Sequence, residues 1–178
     1  MKVLVIGELK ENVLSSDSLE LISKSMEISE EVYLCSIGSV ENPDAKIDNL
    51  SCKYIRTDDN TLSTHSIANL LTDFIKKESI EVILLSSSYV GRDLAAFLSV
   101  DFNSAAVTNV IDIEVQSSFK AITAINGGKD LYTTEVDSDK KIVVVRPKSF
   151  EVKDLSLSKI EQSDVLKLEN LPINTAIN

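Results

Sequence analysis

The sequence predicts an α/β fold with three layers, in which a mostly parallel sheet is flanked by helices and followed by an antiparallel, β-rich second half. Over the first hundred residues, short apolar runs rich in β-branched residues alternate with helical patterns, as in right-handed βαβ crossovers. From Ser104 onward, β-rich runs follow one another without a helical pattern between them. The sequence therefore predicts a parallel sheet extended by an antiparallel edge or small subsheet.

Four segments of the first half have the composition of buried parallel strands. "KVLVIG" is a β-branched run that ends at Gly7, and "EVYLCSIG" is a similar run that ends at Gly38. "CKYIRT" is a shorter candidate, and "EVILLSSS" runs directly into a helical pattern. We expect these strands to pair side by side.

Three helical patterns separate these strands. Asp17, with Glu20 three residues later, has the spacing of a capping box and predicts the start of the first helix, "SLELISKSMEI". The second, "STHSIANLLTDFIKKES", has apolar residues at i, i+3, i+4, i+7 and i+8, which predicts one buried stripe. In the third, which begins in "SSSYVGRDLAAF", Leu94, Phe97 and Leu98 share one face.

The second half contains four strand candidates, "AAVTNVIDIEVQ", "FKAITAIN", "LYTTEVD" and "KIVVVRP". Gly127 and Gly128 lie between two of them and predict a hairpin turn with positive φ. We divide the chain into a domain of residues 1–150 and an extended arm of residues 151–178, whose best strand candidate is "DVLKLEN". This strand could also pair with a neighbour's sheet edge, which would make the protein a homo-oligomer.

Composition narrows the classes of function. The formal net charge of −10 repels nucleic acid and anionic membranes, and no apolar run approaches the length of a membrane helix. Cys35 and Cys52 lack metal-site spacing, and the apolar flanks of Cys35 predict a buried strand thiol. A disulfide between them would need a geometry that the sequence does not specify. We expect a cytoplasmic protein.

The candidate binding site lies at the carboxyl ends of the strands, where ligands gather in open α/β sheets. The cofactor-binding candidates are Gly7, Glu8, Gly38, Ser86, Ser87, Ser88, Gly91 and Arg92. The stretch from Ser86 to Arg92 is the richest, because hydroxyls, a glycine, a helix N-terminus and an arginine could together bind an anion.

These residues also have an ordinary structural interpretation. Serines cap helices, Gly91 can permit a turn or close packing, and Arg92 can pair with an acidic neighbour. We favour this interpretation, because the GxGxxG and GxxxxGK[ST] phosphate-binding patterns are both absent. His65, the only histidine, lies off the apolar stripe of its helix and is expected to be solvated. No catalytic constellation is present, so the sequence predicts that the protein is not an enzyme and holds no metal.

The order of the segments resembles the N-terminal domain of the electron transfer flavoprotein alpha subunit, from Met1 to about Phe150. The segments that carry this resemblance are "VLVIGE", "LELISKSMEISEEVYLCSIG", "GRDLAAFLS" with the following "AVTNVIDIE", "AINGGKDLYTTEV" and "VVVRPKSF". The resemblance implies a nucleotide-binding-like fold, similar to that of adenine nucleotide alpha hydrolases, that has largely lost the nucleotide.

The resemblance also implies how the chain would work. In the family, the alpha C-terminal domain carries the redox-active FAD, the beta subunit holds AMP or a second flavin, and the alpha N-terminal domain is mainly scaffold. This sequence has no counterpart of the glycine-rich FAD-binding segments. We therefore expect no cofactor bound by this chain alone, with FAD supplied by a separate domain or subunit and a beta-type partner. The alternative is a stand-alone protein that binds an adenine nucleotide, such as AMP or ATP, or a flavin.

Overall fold

The computed structural model of the protein describes residues 1–11, 13–37, 53–57, 63–153 and 162–166. Within these residues a nine-stranded sheet forms the centre of the molecule. The strands that take part are β1 (Lys2–Gly7), β4 (Glu31–Ser36), β5 (Lys53–Thr57), β6 (Val82–Ser86), β7 (Ala106–Val115), β8 (Phe119–Ile125), β9 (Asp130–Glu135), β10 (Lys141–Val145) and β11 (Gln162–Leu166). The short strands β2 (Leu9–Lys10) and β3 (Val13–Leu14) form a separate hairpin.

The order of the sheet is β11-β5-β4-β1-β6-β10-β7-β8-β9. Strands from β11 to β7 are parallel, whereas β8 and β9 are antiparallel. The predicted mixed sheet is therefore confirmed. One detail differs, because the late strand β10 inserts between β6 and β7 and not into the antiparallel part. Four of its five residues are buried, as is typical of a parallel strand covered on both faces.

Three helices of the described chain cover the two faces of the sheet. Alternate residues of β1 point to opposite faces, so that Leu4 and Ile6 pack with α2 (Thr64–Glu78) and α3 (Tyr89–Asp101). Val3 and Val5 pack with α1 (Ser16–Ile28) and with residues of β7 and β8 on the other face. This arrangement confirms the three predicted layers.

The start of α1 was predicted wrongly. Ser15 caps this helix, since its hydroxyl accepts a hydrogen bond from the Ser18 amide at 3.2 Å. Asp17 lies in the first turn, and Glu20, its supposed capping partner, is buried. The Glu20 carboxylate instead accepts hydrogen bonds from the Ser149 and Phe150 amides at 3.1 and 3.4 Å. It therefore ties the turn that follows β10 to α1.

The predicted apolar face of α3 is correct for two of its three residues. Leu94 and Leu98 are fully buried, whereas Phe97 keeps 38% of its surface exposed. The Phe97 ring packs against the ring of His65 with centroids 5.2 Å apart, so it lies where α2 and α3 meet at the surface. Phe97 therefore does not lie in the core with the other two residues of the predicted face.

The last described strand, β11, belongs to the "DVLKLEN" region of the arm. It pairs in parallel with β5 and forms that edge of the sheet. Because a terminal strand is paired on one side only, self-association through this strand stays a prediction. The domain boundary at residue 150 stays a prediction. Among the described helices, none has the length and apolar character needed to cross a membrane.

Candidate functional site

Parallel pairing brings together most of the predicted site residues. Because β1 and β6 are neighbours and point the same way, Gly7 and Glu8 lie beside Ser86 at the carboxyl edge of the sheet. The first turn of α3 then places Ser88 and Gly91 over the same edge. We call these five residues the strand-end corner. Gly38, which was predicted to join them, lies outside the described residues.

The polar groups of the strand-end corner are bonded to one another. The Ser88 hydroxyl donates to the Glu8 carboxylate, with 2.5 Å between the two oxygens, and accepts from the Gly91 amide at 2.8 Å. The same hydroxyl therefore caps α3 and links the helix to the residue that follows β1. The buried Ser86 hydroxyl points toward an oxygen of the Asp17 carboxylate at the longer distance of 3.5 Å. These contacts show that the serines have local structural partners.

Gly91 is required by close packing. A Cβ atom at this position would lie only 2.1 Å from the Ser86 carbonyl oxygen, which is far inside van der Waals contact. The first turn of α3 therefore sits directly on the end of β6. At Gly7 a Cβ atom would meet the side chains of Leu34 and Leu14 at 3.0 and 3.1 Å, so this position is also tightly packed.

Two of the remaining predicted residues have different environments. The Ser87 amide donates to the Val145 carbonyl at 2.8 Å and continues the pairing of β6 with β10. Arg92 is exposed, and its Nε donates to the Ser88 carbonyl at 3.2 Å. Its guanidinium lies 5.2 Å from the centroid of the Tyr89 ring, which is within the range of a cation–π contact.

The charges at the strand-end corner are mixed. The carboxylates of Glu8 and Asp17 both lie at its hydroxyls, whereas Arg92 is the cation on its outer side. A phosphate placed against the hydroxyls would meet two like charges and displace a short hydrogen bond. The arrangement can hold the strand-to-helix junction rigid, and it presents Tyr89 and Arg92 to the outside.

Tyr89 is the residue that the sequence did not single out. Its side chain is 85% exposed, which is unusual for a large aromatic residue at the start of a well-packed helix. The signal was present in "SSSYVGRDLAAF", since Tyr89 lies off the stripe defined by Leu94 and Leu98. The importance of Asp17 at this edge could not be read from the sequence, because it depends on the packing of α1 beside β6.

The described residues give little support to other kinds of chemistry. No group of three His, Cys, Asp or Glu side chains within them could hold a metal ion. His65 is exposed, as predicted. Cys35 is a buried free thiol, also as predicted, and burial raises its pKa to about 12. A thiol with this pKa is almost entirely protonated at neutral pH and is a poor nucleophile.

Two grooves lie away from the strand-end corner. One, of about 910 Å³, opens near the amino ends of β1 and β4 and is partly acidic. The other, of about 490 Å³, lies between α1 and the antiparallel strands. The second is lined by Lys24, Glu27, Ile111, Asp112, Ile122, Leu131, Ser149, Phe150, Glu151 and Lys153. Lys24 bridges it, since its ammonium lies 2.8 Å from the Asp112 carboxylate and contacts the Phe150 ring.

Comparison with known protein families gives one match. The model of the electron transfer flavoprotein domain matches residues 3–171 of the 178 residues. The match is consistent with the alpha-subunit N-terminal domain that the order of the sequence segments resembles. A comparison with curated proteins found no match.

Proposed function

Because the chain belongs to the electron transfer flavoprotein domain family, we propose that it is a non-catalytic scaffold that docks a beta-type or flavin-binding partner. The family relationship gives the chain a role related to electron transfer, and proteins with this domain are in general electron carriers rather than enzymes. The docking of a partner is supported above all by Tyr89, which is exposed and lies against Arg92 at the edge of the strand-end corner.

The proposed docking surface is the outer side of α3, which we call the α3 face: Tyr89, Arg92, Phe97 and Val100. Tyr89, Phe97 and Val100 are spaced so that they follow one side of the helix, and they are 85%, 38% and 79% exposed. Tyrosine and arginine are the residue types most often found at the energetic centres of protein interfaces. A partner that covers this side would remove three apolar side chains from water.

We place the flavin in the partner or in a separate domain. The strand-end corner of this chain uses its hydroxyls and its glycine to join β1, β6 and α3, and its carboxylates oppose the phosphates of FAD. The chain would then contribute a rigid surface while another polypeptide segment supplies the redox group. A buried free thiol is compatible with the reducing conditions of the cytoplasm, where we place the complex.

The test is co-elution of the chain with a beta-type electron transfer flavoprotein subunit and a separate FAD domain on size-exclusion chromatography. Tyr89→Ala should weaken the complex at least tenfold, as expected for a central interface tyrosine. Val152→Ala is the control, because Val152 is 47% exposed and lies next to Lys153, which pairs with Glu27 of α1 on the other face of the sheet. Failure of the unaltered chain to co-elute, or equal losses in the two variants, would overturn the proposal.

A second candidate function is the binding of an adenine nucleotide or flavin at the strand-end corner. It is favoured by the exposed Arg92 beside the capped N-terminus of α3. Isothermal titration calorimetry with AMP, ATP and FAD tests it. Arg92→Ala should weaken phosphate binding by about 1.5 to 3 kcal/mol, the strength of a charged hydrogen bond, whereas Lys77→Ala on α2 should not. Absence of heat at millimolar ligand, or an unchanged affinity in Arg92→Ala, rejects this function.

A further inference from the structure

The antiparallel end of the sheet has an open edge. β9 is the terminal strand and pairs only on its β8 side among the described residues. Five of its six residues are exposed, and Leu131 and Tyr132 keep 66% and 60% of their surfaces in contact with solvent. The backbone amides and carbonyls on the outer side of such a strand are ready to pair with another strand.

The edge also lacks the common protections. Residues Asp130 to Glu135 contain no proline and no lysine, and the pairing with β8 runs through six consecutive residue pairs without a bulge. The opposite edge is formed by β11, whose pairing with β5 contains a register shift between Gln162 and Asp164. From these features we propose that two copies of the chain associate by antiparallel pairing of β9 with β9.

Geometry restricts how the two strands can align. Successive residues of a strand direct their backbone groups alternately to its two sides, and in an antiparallel pair both facing residues must direct them in the same sense. Only residues that are an even number of positions apart can therefore face each other. The two-fold axis of the dimer must then pass through one residue that faces its own copy.

Charge selects the residue on the axis. With Tyr132 on the axis, Leu131 faces Thr133 of the other copy, and Lys129, directly before the strand, lies next to Glu135 of the other copy. This contact occurs twice in the dimer, and neither Lys129 nor Glu135 forms an ion pair within the described part of the chain. With Thr133 on the axis, Leu131 would face the charged Glu135, and the lysine would face Asp137, which lies beyond the end of the strand. The Tyr132 register therefore joins the two edges with opposite charges in contact.

The first test is charge exchange, followed by sedimentation velocity over a concentration series of the full chain. Lys129→Glu and Glu135→Lys should each raise the dimer dissociation constant roughly tenfold, because two like-charged contacts replace two opposite ones. The double variant K129E/E135K should restore association. A chain that stays monomeric at every concentration, or a dimer unaffected by both single changes, overturns the proposal.

The second test locates the axis. In a Cys52→Ser background, Tyr132→Cys should form an intermolecular disulfide on mild oxidation, because residues facing across an antiparallel pair have Cα atoms about 5 Å apart. Thr134→Cys is the matched control, since its two copies would be separated by about 13 Å along the strands. Cross-linking through Thr134→Cys and not through Tyr132→Cys would contradict the Tyr132 register.

Discussion

The parallel and antiparallel halves of the sheet are both held together by backbone hydrogen bonds, but they differ in burial and in how far their polar groups are paired. All five residues of β6 are buried between helices, whereas five of the six residues of β9 are exposed. At the carboxyl end of β6 the polar groups bond to one another, and at the outer edge of β9 they have no partner among the described strands. The parallel half therefore forms a rigid, buried layer, and the antiparallel half leaves an open strand at which we propose that two copies associate.

The largest expected contrast is between two leucines. Leu84→Ala in β6 should lower the free energy of unfolding by about 3 to 4 kcal/mol, because it leaves a cavity in a fully buried layer. Leu131→Ala in β9 should change it by less than about 0.5 kcal/mol in the monomer, because that side chain is mostly exposed. Urea denaturation of the two variants at low concentration measures this. Similar losses would mean that the halves do not differ in packing.

A smaller contrast is expected between two glycines. Gly91→Ala forces a Cβ atom against the Ser86 carbonyl, so we expect a loss of about 2 to 3 kcal/mol as the start of α3 moves away. At Gly128 nothing lies within 4 Å of the added atom, and the cost of about 1 kcal/mol comes from its positive φ alone. Thermal unfolding compares the two. A Gly128→Ala variant that is the less stable of the pair would contradict the packing role of Gly91.

The last contrast appears only at alkaline pH. Burial raises the pKa of the Cys35 thiol from 9.0 to about 12. The pKa of Tyr33 is also raised, by burial and by the carboxylates of Glu31 and Glu78. The unfolded chain therefore loses these protons first. The stability that these groups contribute is fully present well below pH 9 and falls as the pH rises toward 12.

Cys35→Val removes the thiol and should make the fall in stability between pH 8 and pH 11 shallower, as measured by urea midpoints at each pH. Cys35 lies in β4 of the parallel half, so this experiment also reports whether water is excluded from the buried cluster around it. An unchanged pH profile in Cys35→Val would show that the thiol does not contribute to the alkaline loss.

Much of the parallel half could be predicted from sequence, because its strands are short apolar runs and its helices have clear stripes. Lys2–Gly7 and Val82–Ser86 lie where "KVLVIG" and "EVILLSSS" place them. The insertion of β10 between β6 and β7 could not be predicted, since spatial order depends on long-range pairing and not on local pattern. The cap at Ser15 was missed because Ser15, Ser16 and Asp17 are all good capping residues and only packing selects among them.

The position of the site could be predicted from the sequence, but the hydrogen bonds between its residues could not. Gly7, Glu8, Ser86, Ser88 and Gly91 do come together, because parallel strands end at one edge. The hydrogen bond from Ser88 to Glu8 joins residues 80 positions apart, and local sequence patterns do not relate residues so far apart. Whether any ligand binds these residues stays a prediction.

The comparison between the halves is tested most directly by hydrogen exchange of the chain, alone and with a beta-type partner. We expect slow exchange throughout β6 and faster exchange at the outward amides of β9 at low concentration. Adding the partner should protect the start of α3 around Tyr89, while raising the concentration of the chain alone should protect β9. Partner-induced protection at β9 with no change at Tyr89 would contradict the account.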